Sequence, residues 1–213
     1  MDTNPFRSAR RPRPSDPPPR PGLLSRAFRW IDACLAGQTW WYRAPVWLGL
    51  AWIFRRYQSE FQYASIFSGI TLAFHEMGHA ALVWFGNELL TTAGGTLAQL
   101  LVPTGAAVYL LVKQRDPFGA TFGAFWLGTA LVDAGIYAAD ARAQALPLVS
   151  PFGPVDATSH DWTVMLMRVG RLARDQAIGG ALQDAGMATM ALSLVAGAWL
   201  LWRMARSDGT GRS

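Results

Sequence analysis

The stretch that decides the fold spans residues 70 to 83 and reads Ile70-Thr-Leu-Ala-Phe-His75-Glu76-Met77-Gly78-His79-Ala-Ala-Leu-Val83. Three ionisable side chains stand in the middle of a run that is otherwise mostly apolar. Residues four apart lie one turn above each other on the same helix face, so His75 and His79 can bind one metal ion from one side. Ionisable groups inside a membrane-spanning helix are energetically costly, and metal binding would account for their presence here. Two imidazoles suit zinc.

Glu76 is the candidate catalytic residue because it stands next to the first predicted ligand. A carboxylate in this position can take a proton from a zinc-bound water and later deliver it to the leaving amine. The small residue Gly78 leaves room for a chain to approach. The motif therefore predicts a catalytic Zn²⁺ site with Glu76 as the general base.

A catalytic zinc ion usually has a third protein ligand, and two residues are candidates. His160 is the only histidine outside the motif, in a loop rich in Pro and Gly that can fold back over the metal. Asp161 can then orient an imidazole. Asp133 lies about 22 Å into its predicted span and His75 about 21 Å into its own, at ~1.5 Å per residue. We favour His160 as the ligand, with Asp133 as a ligand or an orienting carboxylate.

Two further polar residues fall near these candidates. Gln99, in the next apolar segment, is expected either to line the site or to form an interhelical hydrogen bond. Asp140 follows Asp133 by two helical turns, and we expect it to pair with Arg142 at the membrane edge.

The composition is that of a membrane protein. Hydrophobic residues make up 51% of the chain and charged residues only 15%, whereas a soluble domain carries about 25% charged residues. Recurrent Gly and Ala allow membrane helices to approach closely. We predict an all-α bundle of about four transmembrane helices, near residues 61–85, 91–112, 118–139 and 177–202.

Shorter segments are expected beside or outside the membrane. Residues 1–22 hold seven Pro and five Arg and are predicted to form a disordered tail. Residues 23–57 form a predicted interfacial region, with an amphipathic helix over 23–37 and an interfacial or half-inserted element over 40–54. A second interfacial helix is predicted over 161–174. The membrane-embedded domain then covers residues 58–203, and residues 204–213 form a tail.

The basic residues predict the orientation. Four crossings from a cytoplasmic N-terminus place 15 of the 19 basic residues on the cytoplasmic side, with both termini inside. The net charge is +5, and the arginines lie beside apolar segments. This pattern fits a role in membrane orientation and anionic-lipid binding better than nucleic-acid binding. We therefore expect the lipid bilayer as a partner and no nucleic acid.

The His-Glu-x-x-His pattern within an apolar span resembles the site-2 protease type (M50-like) of intramembrane zinc metallopeptidase. Four runs of this chain look like a bacterial branch of M50-like membrane proteins: Ser68 to His79, Gly94 to Pro103, Ala139 to Arg142 and His160 to Trp162. The resemblance covers about residues 58–167. Studied members take a third ligand from a Leu-Asp-Gly or Asn-Pro-Asp-Gly element, where this chain has Val132-Asp133-Ala134-Gly135. The resemblance implies that His75 and His79 bind zinc, that Glu76 is the catalytic base, and that the protein lies in a bacterial inner membrane.

Three functions are compatible with these residues. The leading expectation is a zinc-dependent intramembrane protease that hydrolyses a peptide bond of a membrane protein. The first alternative is a non-catalytic membrane protein in which zinc is structural or regulatory. An ion-coupled transporter is less favoured, because the sequence shows no internal repeat.

Overall fold

A computed structural model of the chain describes residues 22–60, 62–146 and 160–210. Within these ranges the secondary structure is helical, without a strand, which confirms the predicted all-α class. Short 3-10 helices cover Val83–Phe85 and Leu172–Arg174. The α-helices are α1 (Leu23–Leu35), α2 (Arg43–Ser59), α3 (Ile66–Leu82), α4 (Glu88–Val112), α5 (Pro117–Ala139), α6 (Asp161–Arg168) and α7 (Asp175–Thr210).

The chain divides into two units, residues 1–33 and residues 34–213. The described part of the first unit is residues 22–33, which contain most of helix α1. Leu24, Phe28 and Ile31 recur at the spacing of one helix face, which explains why this segment forms a helix. The predicted helix is confirmed, and its interfacial placement stays a prediction. Of the predicted disordered tail, residues 1–21 lie outside the described residues.

Three helical segments are long and apolar enough to cross a membrane: α4, α5 and the segment Leu172–Ser207, which includes most of α7. Helix α3, which carries the His-Glu-x-x-His motif, has only 17 residues. Its length is therefore about 26 Å, against about 30 Å of hydrocarbon in a bilayer. Helix α2 also has 17 residues. Three helical segments are therefore compatible with a membrane protein, and the fourth span stays a prediction.

The core of the second unit lies where α2, α3, α5 and α7 meet. One buried cluster contains Leu50, Ile53, Phe67, Phe125, Val132, Met190 and Leu194. Helix α2 is attached to α7 by the indole of Trp47, which donates to the carbonyl of Leu194 at 2.9 Å. Arg43 at the start of α2 pairs with Asp116 just before α5 at 2.6 Å.

Helices α5 and α7 meet along a seam of glycines. A Cβ on Gly135 would lie 2.6 Å from the carbonyl oxygen of Gly179, and one on Gly186 would lie 2.6 Å from that of Gly128. Real side chains do not approach so closely, so these positions require glycine. The prediction that small residues let the helices approach is confirmed here. We call this contact the α5–α7 seam.

Helices α3 and α4 cross at a second pair of glycines, the α3–α4 seam. A Cβ on Gly94 would lie 2.6 Å from the carbonyl oxygen of Gly78. The motif residue Gly78 was predicted to leave room for a chain, and the chain that occupies this room is the protein's own helix α4. The crossing brings α4 under the histidine face of α3.

The predicted interfacial helix over residues 161–174 is wrong in its extent. Helix α6 ends at Arg168, because Gly170 adopts a left-handed conformation with φ 64°. The Arg171 amide then donates back to Leu166 at 2.8 Å, a common way to end a helix at glycine. At the other end of the chain, α7 continues through Thr210, beyond the predicted boundary at residue 203.

Candidate metal centre

The site begins with the start of helix α3, which sets the positions of the two motif histidines. The Ser65 hydroxyl accepts from the Phe67 amide at 3.2 Å, and the Ser68 hydroxyl accepts from the Ser65 amide at 3.1 Å. Such reciprocal capping stabilises the first turn. The helix continues through the motif without a break, and the rings of His75 and His79 lie 4.7 Å apart between centroids.

Each imidazole is oriented by an acceptor on helix α4. Nδ1 of His75 lies 2.6 Å from Oε1 of Gln99, and Nδ1 of His79 lies 2.8 Å from the carbonyl oxygen of Thr91. The Gln99 amide is itself oriented, because its Nε2 donates to the carbonyl of Ala130 at 3.1 Å. Since both partner atoms only accept, both Nδ1 atoms carry the proton. The Nε2 atoms of both rings are therefore available as metal ligands.

A carboxylate from helix α6 completes the group. Oδ2 of Asp161 lies 2.9 Å from Nε2 of His75 and 3.1 Å from Nε2 of His79. Three lone-pair atoms facing each other need protons or a cation between them, and one cation satisfies all three at once. Zinc bonds of ~2.0–2.2 Å in tetrahedral geometry separate neighbouring ligand atoms by about 3.3 Å. The group is therefore close to the size that a zinc ion requires.

Gly95 on α4 provides the space for this convergence. A Cβ on Gly95 would lie 2.5 Å from Nε2 of His75 and 2.5 Å from Nε2 of His79. Any larger residue would thus occupy the place toward which both ligand atoms point. The donor chemistry, the separations and the missing Cβ all fit a metal ion held by His75, His79 and Asp161.

Asp161 is held in place by the residues around the start of α6. Its amide donates to the hydroxyl of Tyr137 at 3.3 Å. His160 precedes it as the N-cap residue, with Nδ1 accepting from the Thr163 amide at 3.3 Å. Burial raises the pKa of the Asp161 carboxyl, but the interactions with His75 and His79 outweigh burial and hold the pKa below its ordinary value. The carboxylate form is thus favoured at neutral pH.

His160 lies near the site but outside the three-residue group. Its side chain is 0% exposed and packs on the ring of Tyr137, with centroids 4.1 Å apart. Its Nε2 lies 3.7 Å from Oδ2 of Asp140 and has no hydrogen-bond partner within the described ranges. Burial lowers the pKa of the imidazole, against the opposing charges of Asp140 and Asp161. The chain after α5 does return to the motif, as predicted. The residue that it places against the two imidazoles is Asp161, whereas His160 was the favoured ligand.

A cavity of about 460 Å³ opens beside the group. His75 and Glu76 line it from α3, Gln99 from α4, and Asp133 and Tyr137 from α5. Asp133 therefore shares the cavity with the motif, as its predicted depth required, but it does not belong to the three-residue group. The hydroxyl of Ser68 lies beside the carboxyl of Asp133. Glu76 stands in the cavity wall next to His75 and is half-buried.

The two other polar residues have different outcomes. Gln99 both lines the cavity and bonds across helices, so it fulfils both expectations. The expected Asp140–Arg142 pair is wrong. Asp140 instead accepts from the amides of Ala145 and Leu146 at 3.0 Å each, because α5 has ended and the chain turns back. Arg142 pairs with Asp175 at the start of α7 at 2.7 Å.

Sequence reasoning missed Asp161 as a member of the three-residue group and Gly95 as part of the site. Asp161 was considered only as an orienting partner, and its position next to His160 was the available signal. In comparisons with protein-family models, with curated proteins and with solved structures, the chain has no match. The chemistry of the site must therefore be inferred from its own residues.

Proposed function

We propose that this protein is a zinc-dependent intramembrane protease. The observation that carries the proposal is the convergence of Nε2 of His75, Nε2 of His79 and Oδ2 of Asp161 beside a cavity whose wall contains Glu76. A catalytic zinc site has three protein ligands and one open position. The three-residue group with an adjoining cavity favours this kind of site over a closed structural one.

Each residue has a role in the proposed hydrolysis. When bound, zinc supplies Lewis-acid catalysis and lowers the pKa of water. His75 and His79 hold the ion through Nε2, and Gln99 and the Thr91 carbonyl keep both rings in the required tautomer. Glu76 takes a proton from the attacking water and delivers it to the amine that leaves.

The placement in the bilayer is part of the proposal. Helices α4, α5 and α7 cross the membrane, and α3 with its 3-10 extension Val83–Phe85 forms a fourth crossing. Both termini then face the cytoplasm, which in a bacterium makes this an inner-membrane protein, and the basic tail contacts anionic lipid. The substrate is a membrane protein whose apolar segment unwinds locally, because an intact helix has no free backbone groups.

The test is metal content and cleavage measured on the same purified preparations. We expect about one zinc ion per chain, lost in His79→Ala and Asp161→Asn and kept in His160→Asn and Asp133→Asn. The His160→Asn variant keeps a side-chain acceptor for the start of α6. Cleavage is measured on reconstituted single-span substrates whose apolar segment contains a Gly-Pro pair.

The outcomes separate the enzyme from a non-catalytic zinc protein. Zinc at full occupancy without cleavage of any substrate would favour a structural or regulatory role. Wild-type protein without zinc, prepared without chelators, would refute the metal centre.

A further inference from the structure

The cavity beside the candidate metal centre contains a carboxyl that neither metal binding nor proton transfer uses. Asp133 lines this cavity from α5, beside Ser68 of α3. Ser68 precedes His75 by two helical turns, about 10 Å along α3. An extended peptide rises ~3.3 Å per residue, so a chain cleaved next to His75 would reach Asp133 within about three residues.

The charges in this cavity do not balance within the described residues. No Lys or Arg lines the cavity, and Asp133 takes part in none of the ion pairs found there. With a divalent ion and two neutral imidazoles, the carboxylates of Asp161, Glu76 and Asp133 leave one negative charge in excess. Leu72, Ala134 and Ile136 make much of the remaining wall apolar. An unpaired charge is costly in such surroundings and favours an incoming cation.

We propose that Asp133 determines specificity by binding a cationic group of the substrate, within three residues of the bond to be cleaved. This inference rests on the proposed protease function. The group is an ammonium or guanidinium, from a Lys or Arg side chain or from a free amino terminus. Substrates then carry a basic residue close to the unwound part of their apolar segment.

The test measures binding before turnover, by rapid mixing of peptides with zinc-loaded protein that keeps Glu76, because Glu76→Gln would remove the negative charge in excess. The probes are fluorescent, N-acetylated decapeptides with one Lys moved position by position, each matched by a peptide with norleucine there. We expect the Lys peptide to bind about tenfold more tightly at one position, and Asp133→Asn to abolish the difference. Asp184→Asn is the control, because Asp184 is an exposed carboxylate outside the cavity lining. Norleucine peptides with a free amino terminus distinguish the two sources of the cation.

Three results would overturn the inference: equal binding of Lys and norleucine peptides at every position and with either terminus, a preference that survives Asp133→Asn, or loss of zinc in Asp133→Asn, which would make the residue a ligand. The protease proposal fails differently. A Lys preference that depends on Asp133, in a protein with Glu76 that cleaves none of the peptides, would leave a cation-binding cavity without the enzyme.

Discussion

Two glycine seams hold this bundle together, and one of them adjoins the candidate metal centre. In the α5–α7 seam, the space left by Gly135 and Gly186 is filled by backbone carbonyls of the facing helix. In the α3–α4 seam, Gly78 and Gly94 bring the backbones together in the same way, but the next residue, Gly95, faces two imidazole nitrogens. The same packing device therefore serves helix association in one place and a candidate metal centre in the other.

The difference lies in the polar residues around each seam. Beside the α3–α4 seam, Gln99 and the Thr91 carbonyl accept from the two histidines, and Asp161 approaches from α6. The α5–α7 seam is flanked by apolar core residues such as Val132 and Met190. The glycines thus leave space in both seams. The side chains that face this space decide whether it can bind an ion.

The largest expected effect comes from Glu76→Gln, which tests whether the site beside the α3–α4 seam is catalytic. Glu76→Gln removes the group proposed to move the proton but leaves the three metal ligands intact. We expect cleavage to fall about 10²–10⁴-fold with zinc content unchanged. Zinc is measured by mass spectrometry and cleavage on the reconstituted single-span substrates. Cleavage that persists at the wild-type rate would exclude Glu76 as the base.

The next effect comes from Gly95→Ala. The new Cβ would lie 2.5 Å from both Nε2 atoms, so it should disturb both rings and lower zinc affinity by about 100-fold, the upper end of the range for changes around the ligands. Gly105→Ala on the same helix is the matched control, because a Cβ there meets nothing within 4 Å. Zinc affinity is measured by competition with a chelator. Equal affinities in the two variants would show that Gly95 serves packing alone.

Gln99→Leu should have a smaller effect on the same seam. It removes the acceptor for Nδ1 of His75, so the ring is no longer held in the tautomer that presents Nε2. Loss of such an orienting partner typically lowers metal affinity about 10–100-fold. Gln99→Glu keeps an acceptor oxygen and should retain more of the affinity. If Gln99→Leu binds zinc as the wild type does, the hydrogen bond has no role in orienting the ligand.

The smallest effect belongs to the α5–α7 seam. Gly135→Ala places a Cβ 2.6 Å from the Gly179 carbonyl, and overpacking of this kind costs about 1–3 kcal/mol of stability. We expect a lower unfolding temperature in detergent with one zinc per chain retained. Gly180→Ala is the control, because its Cβ meets nothing within 4 Å. Zinc loss in Gly135→Ala at temperatures where the protein stays folded would mean that the two seams are not independent.

Much of the fold was predictable from local pattern. The helical class, the positions of α4, α5 and most of α7, and the helix at residues 23–35 follow from apolar runs and their spacing. The close helix contacts followed from recurrent glycines. The end of α6 at Gly170 and the pairing of Arg142 with Asp175 were not predicted, because both depend on how the chain turns after α5 and α6.

The sequence by itself determined that two histidines share one helix face, with Glu76 beside them, since the spacing of four residues leaves no other arrangement on a helix. Only the tertiary structure decided which other residues reach them. Asp161, Gly95 and Gln99 are distant from the motif along the chain, and they meet it through the crossing of α3 and α4 and the return of α6. Such contacts depend on helix packing rather than on spacing, and so the ligand set could not be derived from the motif alone.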